Sequence, residues 1–185
     1  MDKQKFATYA PNILTLANML LGLTAILVLT TPEHPHKPFI VAACILLGAV
    51  ADYFDGYIAR KFNAVTDMGK QLDSFADLIT FGIAPISLVN YVFACETHSF
   101  LVFLSLVFPI AGMYRLARYN LSEFSGHYTG LPITPSGVTL AVYSIICALW
   151  AEYRQSNIGT IVTIVLIVLL AVMMVSKVKI RRIGN

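Results

Sequence analysis

Long apolar runs separated by short polar connections fill almost the whole of this sequence. A helix needs about 20 residues to cross the roughly 30 Å hydrocarbon core of a bilayer, and six stretches reach that length. The short connections favour antiparallel packing of neighbouring helices in one bundle. We predict membrane-spanning helices at Pro11–Thr31, Pro38–Arg60, Gly69–Phe93, Ser99–Tyr119, Thr134–Tyr153 and Gly159–Lys177.

The composition supports an all-α membrane protein. Only 12% of the residues are charged and the mean hydropathy is +0.73, whereas soluble domains carry about 25% charged residues. The sequence has no internal repeat and no sign of a second domain, so we predict that residues 1–185 form one domain, a six-helix bundle. The first apolar run has no small-residue cleavage site after it, which favours a retained span over a signal peptide.

Lysine and arginine are distributed unevenly between the two ends of this predicted bundle. With the amino terminus inside, eleven of these residues fall on the inner side and only Lys37 and Arg154 on the outer side. Inner loops of membrane proteins carry such an excess of positive charge. We therefore predict cytoplasmic amino and carboxyl termini, with the basic side facing anionic lipid headgroups and no nucleic-acid partner.

Four aspartates interrupt the second and third apolar runs near their inner ends. Asp52 and Asp55 are three residues apart, and Asp73 and Asp77 are four apart, so each pair shares one face of its helix. The two helices are predicted to be antiparallel neighbours joined by a short inner loop, which places the pairs at similar depth. A charged side chain at the bilayer centre costs about 2.5–3.5 kcal/mol on insertion scales, so four together require compensation.

Divalent metal is the compensation that this set of oxygen ligands favours. Carboxylates select Mg²⁺ or Mn²⁺, with Ca²⁺ as an alternative occupant, and four acids suffice for two ions about 3.5–4 Å apart that clamp phosphoryl oxygens. Gly56, Ala59 and Gly69 leave space beside the acids. Arg60 offers a planar fork of donors suited to phosphate. Together these residues predict a polar, nucleotide-sized cleft at the cytoplasmic end.

The pattern Asp-x2-Asp-Gly-x2-Ala-Arg-x8-Gly-x3-Asp-x3-Asp, which begins at Asp52, resembles the signature of the CDP-alcohol phosphotransferases. Every fixed position matches, and the six-span layout is also that of the family. The resemblance implies an enzyme that displaces CMP from a CDP-linked lipid or alcohol with a second alcohol. It implies that the four aspartates bind the metals and that Asp77 is also the general base. The residues that it assigns to the CDP pocket are Asp52, Gly56, Ala59, Arg60, Gly69 and Asp73.

Three further stretches resemble one branch of this family, the small, membrane-embedded phosphatidylserine synthases. They are Pro11–Asn18, Asp73–Pro85, and Arg115–Asn120 followed by Phe124 and Gly130–Pro132. The resemblance implies that CDP-diacylglycerol, or an ether-lipid equivalent, reacts with L-serine to give phosphatidylserine and CMP. It further implies a homodimer in the plasma membrane of a prokaryote.

Candidate residues for the substrates lie on the first and fourth spans. Arg115 and Arg118 share a face at the inner end of the fourth span, where they are suited to hold the serine carboxylate or the diphosphate. Anchoring to inner-leaflet headgroups is the alternative. Asn12 and Thr15 share a face with Asn18 and are candidates for contact with the nucleotide. Helix capping and interhelical hydrogen bonding account for them equally well.

Other functions fit the sequence less well. Glycerol 3-phosphate or inositol phosphate as the acceptor requires additional basic groups around a second phosphate, and the inner loops offer few. A divalent-cation transporter requires polar residues along the whole path, but the acids cluster at the inner end. A scaffold leaves the spacing of Gly56 and Arg60 unexplained. We expect the loop from Ser122 to Pro135 to cover the serine pocket and His127 within it to be a surface residue.

Overall fold

The computed structural model describes residues 3–62, 64–93, 99–121, 128–176 and 179–180, and these are almost entirely helical. A π-helical segment, Leu78–Ile83, joins α3 to α4 without a break. The helices are α1 Lys3–Thr30, α2 Lys37–Lys61, α3 Asp67–Asp77, α4 Ala84–Val92, α5 Ser99–Ser105, α6 Val107–Leu121, α7 Ile133–Leu149, α8 Ala151–Gln155 and α9 Asn157–Val175. Two short strands, β1 Tyr128–Thr129 and β2 Lys179–Ile180, pair antiparallel.

Five helical stretches in the described part of the chain are long and apolar enough to cross a membrane. They are Pro11–Thr30, Lys37–Lys61, Asp67–Val92, Leu101–Leu121 and Asn157–Val175. The prediction of an all-helical membrane protein is thus confirmed. The predicted span Thr134–Tyr153 corresponds to a shorter apolar helix, because α7 ends at Leu149 and Trp150 leaves the helical conformation at φ −110° and ψ 81°.

The large apolar side chains divide into a buried core and an outward face. Phe81, Phe108 and Ile133 are completely buried, whereas Leu27 and Phe103 are 64% and 74% exposed. An outward apolar face is what hydrocarbon solvent allows, because lipid tails solvate leucine and phenylalanine as well as a protein core does. The exposed apolar side chains therefore fit a bundle that is surrounded by lipid.

The π-helical segment follows directly after Asp77 and has an identifiable local cause. Pro85 has no N–H group, so it cannot donate to the carbonyl of Phe81 as a helical residue would. The N–H of Ala84 donates to the carbonyl of Ile79, five residues back. Helix α7 approaches this segment closely, because a Cβ atom on Gly137 would lie 2.4 Å from the Phe81 carbonyl oxygen. π-helical turns are frequent at functional sites.

Small residues bring the π-helical segment against α1 and α2. The Thr80 hydroxyl donates to the carbonyl of Asn18 at 2.9 Å. A Cβ atom on Gly22 or Gly48 would lie 2.3 or 2.6 Å from side-chain atoms of Thr80, so a larger residue at either glycine would displace it. This contact holds α3, which continues into the π-helical segment, beside α2. These two helices carry the two aspartate pairs.

The end of the bundle with the four aspartates, here called the aspartate end, lies opposite the connection between α1 and α2. At that opposite connection Lys37 is buried and its Nζ donates to the carbonyls of Leu29, at 3.2 Å, and Thr31. Its ammonium group also lies 5.3 Å from the centre of the Tyr91 ring. A cation at the carboxyl terminus of a helix satisfies the last carbonyls, so Lys37 has a structural role.

Candidate active site

The two aspartate pairs converge at the aspartate end. One carboxylate oxygen from each of Asp52, Asp55 and Asp73 lies within 4.8 Å of the other two. Asp77 lines a cleft together with Asp52 and Asp73. Asp55 and Asp77 are only 4% and 7% exposed. The spacing of the acids in the sequence therefore does bring them to one place in the fold.

The donor set fits hard divalent cations. It consists of carboxylate oxygens, and Oδ1 of Asp73 and Oδ1 of Asp77 are buried without a hydrogen-bond partner. Buried polar atoms in native proteins are nearly always paired, so these two oxygens are expected to have a ligand. Mg²⁺ and Mn²⁺ prefer such oxygens. Asp67, in contrast, pairs with Lys70 at 3.2 Å on the exposed first turn of α3.

Two threonine hydroxyls hold the carboxylates of α2. Thr15 of α1 donates to Oδ2 of Asp55 at 2.7 Å, and Thr134 of α7 donates to Oδ2 of Asp52 at 3.1 Å. Partners of this kind orient metal ligands. The sequence analysis gave nucleotide contact and interhelical hydrogen bonding as equal alternatives for Thr15, and the bond to Asp55 is interhelical. It gave no indication of Thr134, which lies 82 residues from Asp52.

The small and basic residues of the signature lie beside the acids on α2 and α3. The Arg60 guanidinium folds back along α2, so that a Cβ atom on Gly56 would lie 3.2 Å from Nη1. A Cβ atom on Gly69 would lie 2.9 Å from Oγ1 of Thr66 and 3.3 Å from Oδ1 of Asn12. The Gly69 N–H donates to the same Thr66 hydroxyl at 3.0 Å, which caps α3. Ala59 is half-buried one turn after Asp55.

A cleft of about 280 Å³ opens between α2, α3, α6 and α7, and both acidic and basic residues line it. Its volume is in the range of a small polar molecule. The lining residues are Asp52, Lys70, Asp73, Ser74, Asp77, Arg115, Leu116, Tyr119, Asn120, Pro132 and Thr134. Asp77 thus lies at the cleft together with Asp52 and Asp73.

Comparison with known proteins agrees with this geometry. The sequence profile of the family described as CDP-alcohol phosphatidyltransferase matches residues 8–180. This chain belongs to the CDP-alcohol phosphatidyltransferase family. The family resemblance that the signature indicated is confirmed, and the protein is a transferase.

Relatives within the CDP-alcohol phosphatidyltransferase family are named for one reaction type. A CDP-diacylglycerol–serine O-phosphatidyltransferase of Bacillus subtilis is 40% identical over 138 residues, which are 74% of this chain and 75% of the relative. One of the same name from Methanocaldococcus jannaschii is 35% identical over 148 residues, 80% of this chain and 65% of the relative. An archaetidylserine synthase of Methanothermobacter thermautotrophicus is 31% identical over 150 residues, 77% of this chain and 61% of the relative. The chain thus spans less than two thirds of both archaeal relatives.

The two arginines of α6 occupy different places in this CDP-alcohol phosphatidyltransferase. Arg115 is 8% exposed and lines the cleft. Arg118 donates to the carbonyls of Val175 at 2.9 Å and Ser176 at 3.3 Å, at the end of α9. Its guanidinium also lies 5.9 Å from the centre of the Tyr114 ring. The shared helix face that was predicted for the pair therefore does not place both in the cleft.

A polar contact joins α6 to α3 beside the same cleft. Nδ2 of Asn120 donates to Oγ of Ser74 at 3.0 Å and lies 3.5 Å from Oε1 of Gln71. The Ser74 hydroxyl in turn donates to the carbonyl of Lys70 at 3.0 Å. This chain of hydrogen bonds connects α6, which carries Arg115, to α3, which carries Asp73.

The segment before α7 is fastened to the end of α9. Gly130 has φ +80°, and a Cβ atom there would lie 2.3 Å from the Met174 carbonyl oxygen, so only glycine fits. The N–H of Leu131 donates to the carbonyl of Met173 at 3.0 Å. Part of the loop predicted to cover the serine pocket, with Phe124 and His127, lies outside the described residues. Asn18 is fully buried beside Gly48 of α2 and Thr80 of the π-helical segment.

Proposed function

We propose that this protein transfers the phosphatidyl group of CDP-diacylglycerol, or of an ether-lipid equivalent, to the hydroxyl of L-serine, giving phosphatidylserine and CMP. The observation that carries the proposal is the convergence of Asp52, Asp55 and Asp73 on one point beside Asp77 and the cleft. The complete family signature and the names of the relatives support it. The names of the Bacillus relative and of the archaetidylserine synthase support serine as the acceptor.

The four aspartates would hold two divalent ions, Mg²⁺ or Mn²⁺, with Ca²⁺ as an alternative occupant. Such ions neutralise charge on the attacking and leaving sides of a phosphoryl transfer. The unpaired, buried oxygens of Asp73 and Asp77 support this assignment. Thr15 and Thr134 would keep the carboxylates of Asp55 and Asp52 in the orientation that binding needs.

The CDP group would bind beside the small residues of α2 and α3. Gly56 and Gly69 let a ligand approach the helix backbones there, and Arg60 is a planar donor for the diphosphate. The residues that we assign to this pocket are Asn12, Thr15, Asp52, Gly56, Ala59, Arg60, Gly69 and Asp73. The lipid chains would leave the cleft sideways into the surrounding bilayer.

Asp77 would act as the general base. Its carboxylate would take the proton from the serine hydroxyl, and the serine oxygen would attack the phosphorus that carries the lipid. The bond between that phosphorus and the oxygen bridging to CMP would break, and CMP would leave with the electron pair. The chain contributes position and charge here, because phosphoryl transfer needs an aligned nucleophile and a stabilised leaving group.

Arg115 is the stronger candidate for the serine carboxylate. It lines the cleft with Asp77 and Lys70, and a charge-assisted hydrogen bond from its guanidinium would orient the serine hydroxyl toward the base. Arg118 was predicted for the same task. Its bonds to the α9 carbonyls support a role in holding α6 to α9 instead.

In the membrane, we propose a single domain of residues 1–185 with α7 as the sixth span. The aspartate end would face the cytoplasm of a prokaryote, because Arg60, Lys61 and Lys70 lie there. Both termini would be cytoplasmic. A homodimer is proposed from the family resemblance alone.

The decisive experiment is an assay with radiolabelled serine and CDP-diacylglycerol in detergent micelles, with and without EDTA. We expect labelled phosphatidylserine and stoichiometric CMP, loss of both with EDTA, and recovery with Mn²⁺ or Mg²⁺. Incorporation of labelled glycerol 3-phosphate or inositol phosphate, with none of serine, would assign a different acceptor. Cation flux into vesicles without any CMP release would favour a transporter.

A further inference from the structure

Helix α7 contributes a hydroxyl to the aspartate group that the family signature does not contain. Oγ1 of Thr134 lies 3.1 Å from Oδ2 of Asp52 and joins two helices that are distant in the sequence. Thr134 also lines the cleft beside Asp77 and Arg115. It is thus the point where α7 meets both the carboxylates of α2 and the space for the acceptor.

The use of this hydroxyl differs from that of three other serine and threonine hydroxyls on the same helix. Ser136, Thr139 and Ser144 donate to the carbonyls four residues earlier, at 2.9, 2.8 and 2.8 Å. This bond within the helix is the ordinary choice of a helical serine or threonine. Thr134 is the second residue of α7 and donates across the bundle to a carboxylate. A bond to a charged acceptor is stronger than one to a carbonyl.

The first turn of α7 is packed so that Thr134 has little freedom to move away from Asp52. Ile133 is completely buried. A Cβ atom added to Gly112 or to Gly82 would lie 2.5 or 3.5 Å from its Cδ1 atom, so Ile133 packs closely against both glycines. Gly137, three residues after Thr134, lies against the Phe81 backbone. Ile133 therefore packs against α6 and the π-helical segment, and Gly137 packs against the π-helical segment. Thr134 lies between these two fixed residues.

We propose that Thr134 is a positioning residue for the metal site and fixes the orientation of the Asp52 carboxylate through its hydroxyl. The inference rests on the proposed function, because it presumes that Asp52 is a metal ligand. Hydrogen-bond partners of metal ligands typically contribute about 10–100-fold to metal affinity or activity. Loss of this hydroxyl should therefore weaken metal binding even when neither substrate is present.

The test compares variants of the purified protein in lipid nanodiscs by titration with Mn²⁺ alone, with free Mn²⁺ followed by electron paramagnetic resonance. Thr134→Val keeps the side-chain shape without the hydroxyl, and we expect its Mn²⁺ dissociation constant to rise about tenfold. Thr134→Ser keeps the hydroxyl and should restore most of the affinity. Thr139→Val is the matched control, because the Thr139 hydroxyl is exposed and bonds within α7. Thr134→Ala provides the same measurement if the valine variant does not fold.

Each outcome decides between the roles of the hydroxyl. Weaker Mn²⁺ binding in the valine or alanine variant, with restoration by serine and none of the loss in Thr139→Val, supports the positioning role. Unchanged Mn²⁺ affinity together with a raised KM for serine would place Thr134 on the acceptor and overturn the inference, while leaving the metal site intact. If the wild-type protein bound no Mn²⁺, the proposed metal site would fail, and the inference with it.

Discussion

Thr15 and Asp55 form a 2.7 Å hydrogen bond across the interface of α1 and α2, although 40 residues separate them. The same hydroxyl lies 3.1 Å from the Pro11 carbonyl, but it has a single hydrogen to donate, and the shorter contact to a carboxylate is the stronger one. Helix α1 thus contributes directly to the aspartate end. Thr15 donates to Asp55 from α1, as Thr134 donates to Asp52 from α7.

Replacing Thr15 with valine should reduce turnover about 10–100-fold, because the buried Asp55 carboxylate loses the bond that orients it. Activity at saturating CDP-diacylglycerol and serine, measured across a range of Mn²⁺ concentrations, checks this. We expect Thr15→Ser to retain most of the activity. Thr30→Val is the control, since the Thr30 hydroxyl is exposed on the same helix and bonds to the Leu27 carbonyl. Equal activity of Thr15→Val and wild type would contradict the role of Thr15.

Replacing Asp77 with asparagine should lower kcat by at least about 100-fold, because an amide cannot accept the serine proton. The amide keeps an oxygen in place and should leave the fold intact. CDP binding with Mn²⁺, measured by calorimetry, reports whether the rest of the site survives. A variant that binds CDP normally and still turns over near the wild-type rate would assign the base to another residue.

Replacing Arg115 and Arg118 separately should give different results. Arg115→Ala should raise the KM for serine more than that for CDP-diacylglycerol, because Arg115 lines the cleft. Arg118→Ala should lower stability by about 1.5–3 kcal/mol, the usual contribution of a hydrogen bond to a charged group, with a smaller effect on either KM.

Steady-state kinetics and unfolding by denaturant, performed on both variants, separate these roles. A selective rise in the serine KM of Arg118→Ala, at unchanged stability, would return Arg118 to the acceptor site. A selective rise in the KM for CDP-diacylglycerol would place that arginine on the diphosphate.

Replacing Gly137 with alanine should destabilise the protein by about 1–3 kcal/mol, the typical effect of overpacking a core. The new methyl group would lie 2.4 Å from a backbone oxygen of Phe81, so α7 has to shift away from the π-helical segment. Thermal unfolding in detergent, with exposed Thr139→Ala as the control, measures the effect. An unfolding temperature equal to that of wild type would show that the two helices separate freely at this point.

The spacing of the aspartates along the sequence correctly predicted that they converge, since residues three and four apart share a helix face. Asp52, Asp55 and Asp73 accordingly meet in the fold. The threonine partners depend on tertiary contacts over 40 and 82 residues, which no local pattern contains. The same limit applies to Arg118, because its helical phase matched Arg115 but its partners are carbonyls of α9.

The helix boundaries show the same division between local and tertiary information. Apolar length located the spans, because the hydrophobic effect acts on each segment separately. The π-helical segment before Ala84 was not predicted, although Pro85 gave a local sign of irregular hydrogen bonding. The early end of α7 at Leu149 lies within an apolar run that continues through Trp150, so hydropathy gave no sign of it.

The bond from the Leu131 N–H to the Met173 carbonyl has a practical consequence for anyone who shortens or tags this protein. The carboxyl-terminal helix contains no aspartate, yet its last turn anchors the peptide that leads into Thr134. Deletions that remove Met173 should therefore disturb Thr134, about forty residues earlier in the sequence, and through it Asp52, which is farther upstream still.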